Sequence, residues 1–360
     1  MAEIQFRKRR ALQVENDQIR VTATIEGGHI AEILHKSSGA NPLWTPPWPS
    51  IEPSAYSQSR HPEYGSGTEA RLLAGILGHN ICLDTFGGPS PEEAAAGTPV
   101  HGEGPIIPYE ASEDRSANAV TLAGRLRLAQ LHFQRQIKVS SGWPVVLLSE
   151  TVENLSASDR PIAWTQHVTL GPPFLESGMT QFRMPATKSK VGDATFNDNL
   201  GPYVPDAEFV WPCCPLKSGG NEDFRTYTRC PVSGGFTTHL MDPKQEQAFF
   251  LAWSPATKVL FGYVWRQRDF PWMARWEEHH LRTEPPWNGN GLTCGMEFGV
   301  SPFVESRRKM VERGSLFDTP AYRWLPAFSK LTVEYCAFIT TADNIPETVQ
   351  WDGAFQVKFA

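Results

Sequence analysis

The chain has 360 residues, 40% of them hydrophobic and 20% charged, and a formal net charge of -6. That length buries a full core without staples, and the balance is that of a globular chain rather than a disordered one. The negative charge excludes the basic footprint that nucleic acid requires. The one basic cluster, Lys8-Arg9-Arg10, reads as a solvated strand end. Six cysteines, Cys82, Cys213, Cys214, Cys230, Cys294 and Cys336, form no Cys-x-x-Cys pair, so they read as free, mostly buried thiols of a reducing compartment. The first ten residues hold no apolar signal segment and no run of about 18 apolar residues follows. A cytoplasmic location without membrane contact is therefore expected.

In chain order, Ile19, Val21, Ala23 and Ile25 alternate with polar residues, the period of a half-buried strand. Gly27-Gly28 turns the chain into a second apolar run at 30–34. The Pro-rich stretch 44–53 is an ordered loop, because proline cannot sit in a central strand. Its Trp44 and Trp48 read as packing or as a sugar platform. From 119 onward the strand signal is strong. The phase of Leu126 and Leu128 shifts at Leu131 and Phe133, which predicts a bulge near Ala129-Gln130, with Ile137 and Val139 in another strand. Segments 145–153 and 161–170 read as neighbouring strands, and 249–253 with 259–265 as a hairpin across Ser254-Pro-Ala-Thr257. Residues 331–339 alternate cleanly. Short helical turns are predicted at 92–96 and 305–313. The stretch 188–221, rich in Gly, Asp, Asn and Pro, is expected to be the most mobile and to cover one end of a cleft. Many short-spaced strands and no long helix give an all-β class, a large antiparallel sandwich.

The polar residues that carry chemistry concentrate in 78–104, where His79, Asn80, Asp84, His101 and Glu103 sit among Gly and Pro. Such loops gather side chains where backbones come close; tying down the turn is the expected role of Asp84. In the strand around His167, the residues Trp164, Gln166, Val168 and Leu170 share one face. His167 lies on the other with Thr165 and Thr169. A histidine bonded across the sheet is the plain alternative to a catalytic one. Glu297 repeats the pattern: Leu292, Cys294, Met296 and Phe298 face one way, and Glu297 the other. Gly295 and Gly299 beside it leave space above the carboxylate. Trp265, Trp272, Trp276 and Trp287 cluster in sequence with Arg266, Arg268 and Arg275, residue types that suit the apolar faces and hydroxyls of a sugar. His79, His101, Glu103 and Asp84 are also metal-ligand types, although their spacing matches no His-Glu-x-x-His run. No Gly-x-Ser-x-Gly elbow, Gly-x-Gly-x-x-Gly or P-loop pattern occurs, so no nucleotide cofactor is expected.

Gly27-Gly28 and its apolar run, Gly78-His-Asn-Ile81, Val100-His101-Gly102, Glu153-Asn154 before the His167 strand, and Met296-Glu297 follow one another in an order that resembles the aldose 1-epimerase, or galactose mutarotase-like, superfamily. The resemblance implies a galactose mutarotase-like supersandwich, a single domain over 1–360. It implies an enzyme that interconverts sugar anomers with no cofactor and no metal. It gives Glu297 the general-base position, His167 the general-acid position and His101 a supporting one. His79, Asn80, Glu103, Asp269, Arg275 and Trp272 are the candidates for gripping a small sugar, with Asp242 the alternative to Asp269. The arginine of the family's Asn-Arg-Ile element is missing at Asn80-Ile81, and its Leu-Glu-Pro reads Met296-Glu297-Phe298. A non-catalytic carbohydrate-binding protein and a metal-assisted sugar isomerase or lyase using His79, His101 and Glu103 remain as alternatives. Arg266, Arg268 and Arg275 would form a phosphate clamp only if they converge. A monomer or homodimer is expected.

Overall fold

A computed structural model describes residues 3–194 and 200–360. Two antiparallel sheets face each other. The larger has twelve strands, running in space through Ile4–Phe6, Arg9–Glu15, Ile19–Thr24, Ile30–His35, His79–Asp84, Arg160–Leu170, Leu292–Gly299, Trp272–His279, Ser233–Met241, Ala186–Val191 and Glu208–Val210, with Arg323–Leu325 pairing off this path. The smaller has eight, in the order Gln181–Arg183, Gln247–Ser254, Val259–Arg266, Lys330–Thr341, Val145–Asn154, Leu131–Val139, Ala119–Leu126 and Glu110–Asp114. Among the described residues no helix is long and apolar enough to cross a membrane. All six cysteines are free; Cys213 and Cys230 are exposed.

The period of two decides what each strand contributes. Along Leu131–Val139 the odd-numbered residues are buried and Gln134 and Gln136 are exposed. Ile81, Trp164, Val168, Met296 and Phe298 from the large sheet meet Leu122, Phe133, Leu148, Tyr263 and Tyr335 from the small one. Trp265 stacks on Phe298 with centroids 4.2 Å apart.

Three readings of the sequence are corrected. Residues 127–130 are a hairpin turn, not a bulge, and Ile137 and Val139 continue the strand that begins at Leu131. The phase shift was a reversal of direction. Val145–Asn154 and Arg160–Leu170 are not neighbours; they belong to different sheets, so the connection crosses the sandwich. Arg9 is buried rather than solvated, donating to the carbonyls of Gly75 and Glu26 and to Glu52. The predicted helical turns form at Pro91–Ala95 and Arg307–Arg313. Of the stretch expected to be mobile, residues 195–199 lie outside the described residues.

At the centre of the interface sits a charged cluster. Arg135 Nε donates to Glu150 Oε1 at 2.7 Å, and both side chains are almost wholly buried. Glu150 also accepts from Trp164 Nε1 at 2.9 Å, Gln166 Nε2 at 2.6 Å and Tyr335 Oη at 2.7 Å. Arg135 reaches Gln166 Oε1 at 3.0 Å and the Gly28 carbonyl at 2.9 Å. A buried charge is tolerated when it is paired and its remaining donors are satisfied. Replacing Glu150 with Met strands the guanidinium, so a loss of about 3–5 kcal/mol is expected in urea unfolding; a loss below about 1 kcal/mol would show that the cluster does not hold the sheets together.

Candidate active site

Gln166 belongs to the interior cluster, so its neighbour His167 must point out of the opposite face of the large sheet. Register then places the rest. Asn80, His167, Glu297 and Ala274 lie directly opposite one another across four adjacent strands. The next row on the same face is Thr169, Gly295, Trp276 and Phe236. Gly295 supplies the seat, for a Cβ at that position would overlap Glu297 Oε1. The glycine read in the sequence as open space is filled by the acid itself.

His167 Nε2 and Glu297 Oε1 are 3.2 Å apart. The alignment is off the line of a hydrogen bond, and Glu297 Oε1 has no bonded partner among the described residues. His167 Nδ1 is 3.0 Å from Thr169 Oγ1. His101 arrives from the loop after the His79–Asp84 strand, with φ of 63°. Its Nδ1 is 2.8 Å from the Phe86 carbonyl. A carbonyl only accepts, so that nitrogen carries the proton and Nε2 presents a lone pair. The His101 and His167 rings meet edge to face at 5.3 Å.

Burial sets the protonation. It lowers His101 to about 4, helped by the positive charge of Arg282 and opposed by the Phe86 bond. It lowers His167 to about 3, with His101 adding to the effect. It raises the Glu297 carboxyl well above the ordinary range, because an uncompensated charge is disfavoured in a dry site. Burial thus favours a neutral imidazole beside a neutral carboxylic acid, two groups with one mobile proton between them.

These groups form the floor of a cavity of about 410 Å³ walled by Leu72, Leu73, Trp276, Arg282 and Trp287. Trp44 stacks on Trp287 at 5.6 Å and Trp48 meets it edge-on at 4.9 Å. Both are buried behind it, so they serve as packing. Among the described residues several polar atoms are buried without partners: Trp287 Nε1 and Glu297 Oε1 on the cavity lining, and, off the lining, both amide atoms of Asn80 and Thr165 Oγ1. Unpaired buried groups are costly, and a ligand's hydroxyls would pair the first two. A larger depression of about 940 Å³ borders it along Gly88 and Val304. Four of its charged side chains pair with one another, Arg308 with Glu312 at 3.0 Å and Arg313 with Glu305 at 2.9 Å.

No family model matches the sequence, and no curated protein matches it. Solved structures do. A candidate aldose 1-epimerase from Klebsiella pneumoniae superposes with a TM-score of 0.67 at 14% identity, over 93% of this chain and 80% of that one. A galactose mutarotase-like protein from Lactobacillus casei gives 0.60 at 13%, over 92% and 100%. The GalM/aldose epimerase homologue from C. elegans gives 0.57 at 10%, over 92% and 98%. The chain has the galactose mutarotase-like fold.

On this fold the residues read from the sequence part company. His101, His167 and Glu297 converge, with Asn80 beside them. The other candidates are placed elsewhere. His79 points into the sandwich, with its ring nitrogens 3.0 Å from Tyr263 Oη and 3.0 Å from Gln166 Oε1. Glu103 caps the 127–130 turn by accepting from the backbone of Arg127, Leu128 and Ala129. The set of His79, His101 and Glu103 offered for a metal is therefore not assembled. Arg275 has the wrong parity: it lies on the sheet's other face, 2.8 Å from Glu277 and under Phe224. Trp272 shares the face of Glu297 but is covered, its Nε1 bonded to Pro320 O at 2.9 Å. Asp269 is half-buried at a turn, where burial raises its carboxyl and Arg323 opposes the rise. Asp242 accepts from Lys244 N in another turn. Arg266 lies near Glu334 at the surface, so the three arginines do not converge as a clamp. Asp84 does tie down its loop, through Arg160 at 2.7 and 2.8 Å and Arg307 at 3.2 Å.

The sequence reading missed Arg282, Glu69 and the apolar wall Leu72, Leu73 and Ile76. Arg282 lies past the end of the strand Trp272–His279 and past the positive φ of His280, so the alternation of Trp276 and Glu278 does not extend to it. Gly295→Ala is expected to unseat the Glu297 carboxyl and cost about 1–3 kcal/mol by overpacking. The check is thermal unfolding together with the His167 ring resonances, which should move; unmoved resonances would show that the carboxyl keeps its place.

Proposed function

We propose that this protein interconverts the anomers of an aldose by acid–base ring opening, within a single domain, with Glu297 as base, His167 as acid and His101 in support. The observation that carries this reading is the 3.2 Å juxtaposition of His167 Nε2 and an otherwise unpartnered Glu297 Oε1 at the floor of an aromatic cavity. The fold shared with aldose epimerase-like proteins supports it.

The chemistry needs one proton removed and one supplied. The base takes the proton of the C1 hydroxyl while the acid protonates the ring oxygen, and the C1–O5 bond opens to an aldehyde. Rotation about C1–C2 presents the other face, and closure runs the transfers backwards. A pair that shares a single mobile proton serves both directions. Burial favours that proton on Glu297. Sugar hydroxyls donating to Oε1 would favour the carboxylate, which passes the proton to His167. His101, protonated on Nδ1, accepts from a hydroxyl or from the protonated His167.

Polarimetry of freshly dissolved α-glucose and α-galactose tests the reading. The wild type should speed equilibration, and Glu297→Gln or His167→Asn should lower kcat by about 10²–10⁴. Unimpaired turnover in Glu297→Gln would remove the assigned base. Binding of sugars by a wild type that accelerates none of them would leave a carbohydrate-binding protein instead.

The pH profile is a separate check. Activity requires one proton on the pair. It is lost as pH falls through about 3, when His167 also protonates. It is lost at the alkaline end only above the ordinary carboxylate range, when the raised Glu297 ionises without passing its proton on. Thus kcat/KM, which reports the free protein, should hold level through the ordinary carboxylate range of about pH 4–5 and fall only above it. An acid limb centred near the unperturbed histidine value of about 6.5 would contradict this assignment.

A further inference from the structure

The epimerase reading leaves the nature of the sugar open, and one cavity residue bears on it. Arg282 follows the strand Trp272–His279 and brings its guanidinium back over two indoles, 5.2 Å from the Trp287 centroid and 5.8 Å from that of Trp276. Its side chain is 27% exposed, on the cavity wall. The nearest carboxylate oxygens are Glu278 Oε2 at 3.5 Å and Glu69 Oε1 at 3.6 Å. Among the described residues none of its guanidinium N–H groups is in a hydrogen bond. Glu278 has its other oxygen committed to the backbone N–H groups of Leu281 and Arg282, at 2.8 and 2.9 Å. Glu69 stands at the rim with its side chain 43% exposed. A planar fork with five donors is thus held in place by aromatic faces, with two carboxylate oxygens at ion-pair distance but neither in a hydrogen bond with it.

The remaining charge in the cavity sharpens the point. Arg282 is the only Lys or Arg among the described cavity-lining residues. A dianionic phosphate calls for several cations, whereas one guanidinium matches one carboxylate through two parallel bonds. We infer that the ligand is an aldose bearing a single carboxylate, a hexuronate, and that Arg282, stacked on Trp276 and Trp287, receives that carboxylate and sets the preference for it over a neutral hexose. The buried histidines of the floor do not compete for the anion, since burial keeps both neutral. Glu69 is the group the carboxylate would displace.

The inference rests on the epimerase reading but has its own readouts. Anomer exchange is measured by NMR for D-glucuronate, D-galacturonate, the matching hexoses and D-glucose 6-phosphate, with wild type, R282Q and R282K. A hexuronate should be preferred over its hexose by about tenfold or more in kcat/KM, the scale of one charge-assisted hydrogen-bonded pair. R282Q should cut the hexuronate value about tenfold further than it cuts the hexose value, and R282K should fall between, keeping the charge without the fork. Equal losses for both sugars, or a preference for the phosphate ester, would overturn the inference. If no sugar is turned over, NMR titration of the wild type and R282Q decides. Tighter hexuronate binding that R282Q weakens upholds the role of Arg282 while the epimerase reading falls. Equal affinities for the charged and neutral sugars sink it.

Discussion

The Arg135–Glu150 pair, closed by Gln166, Trp164 and Tyr335, is the constraint on which the site depends. Apolar residues on a strand tolerate sliding by two positions, since one hydrophobic side chain can replace another with modest loss. A guanidinium and a carboxylate in a dry interior do not, because each must find its partners or go unpaired. Gln166 is a member of that cluster and so locks the strand Arg160–Leu170 in register and in facing. Everything on the outer face follows, above all His167 one residue later. The polar cluster inside and the polar site outside are two sides of one strand.

From there the site is a matter of alternation. Asn80, His167 and Glu297 meet because three strands are paired in register, not because a loop gathers them. Only His101 comes from a loop, and its ring is pinned by the Phe86 carbonyl. The aromatic wall is built in two layers, Trp276 and Trp287 in front and Trp44 and Trp48 behind. The second layer is what keeps the first at its angle.

Much of this was legible in the sequence where a period could be counted. The faces of Trp164/Gln166/Val168 and Cys294/Met296/Phe298 were readable, and with them the outward His167 and Glu297. The antiparallel sandwich was readable from strand spacing. What failed was whatever period cannot express. The reversal at 127–130 mimicked a bulge, because a tight turn and an inserted residue shift the phase alike. His79 and Arg275 are polar residues on interior-facing positions, satisfied by Gln166 and Tyr263 in one case and by Glu277 in the other. Composition alone marked both as site residues. Arg9 was mistaken for a surface charge for the same reason. Arg282 and Glu69 reach the cavity from outside regular strands, where no alternation fixes their direction.

The pairing of His167 with Glu297 across neighbouring strands has a further consequence. Strand spacing of about 4.8 Å is a property of the backbone ladder, so the distance between the two groups is settled when the sheet forms. The entropy of ordering them belongs to folding and is not charged to the arriving ligand. The floor is thus a rigid component. The side chains with room to rearrange, Glu69 and Arg282, stand around the mouth. Adaptation to a different ligand can proceed by exchange at the mouth while the floor, tied to the register of the whole sheet, stays as it is.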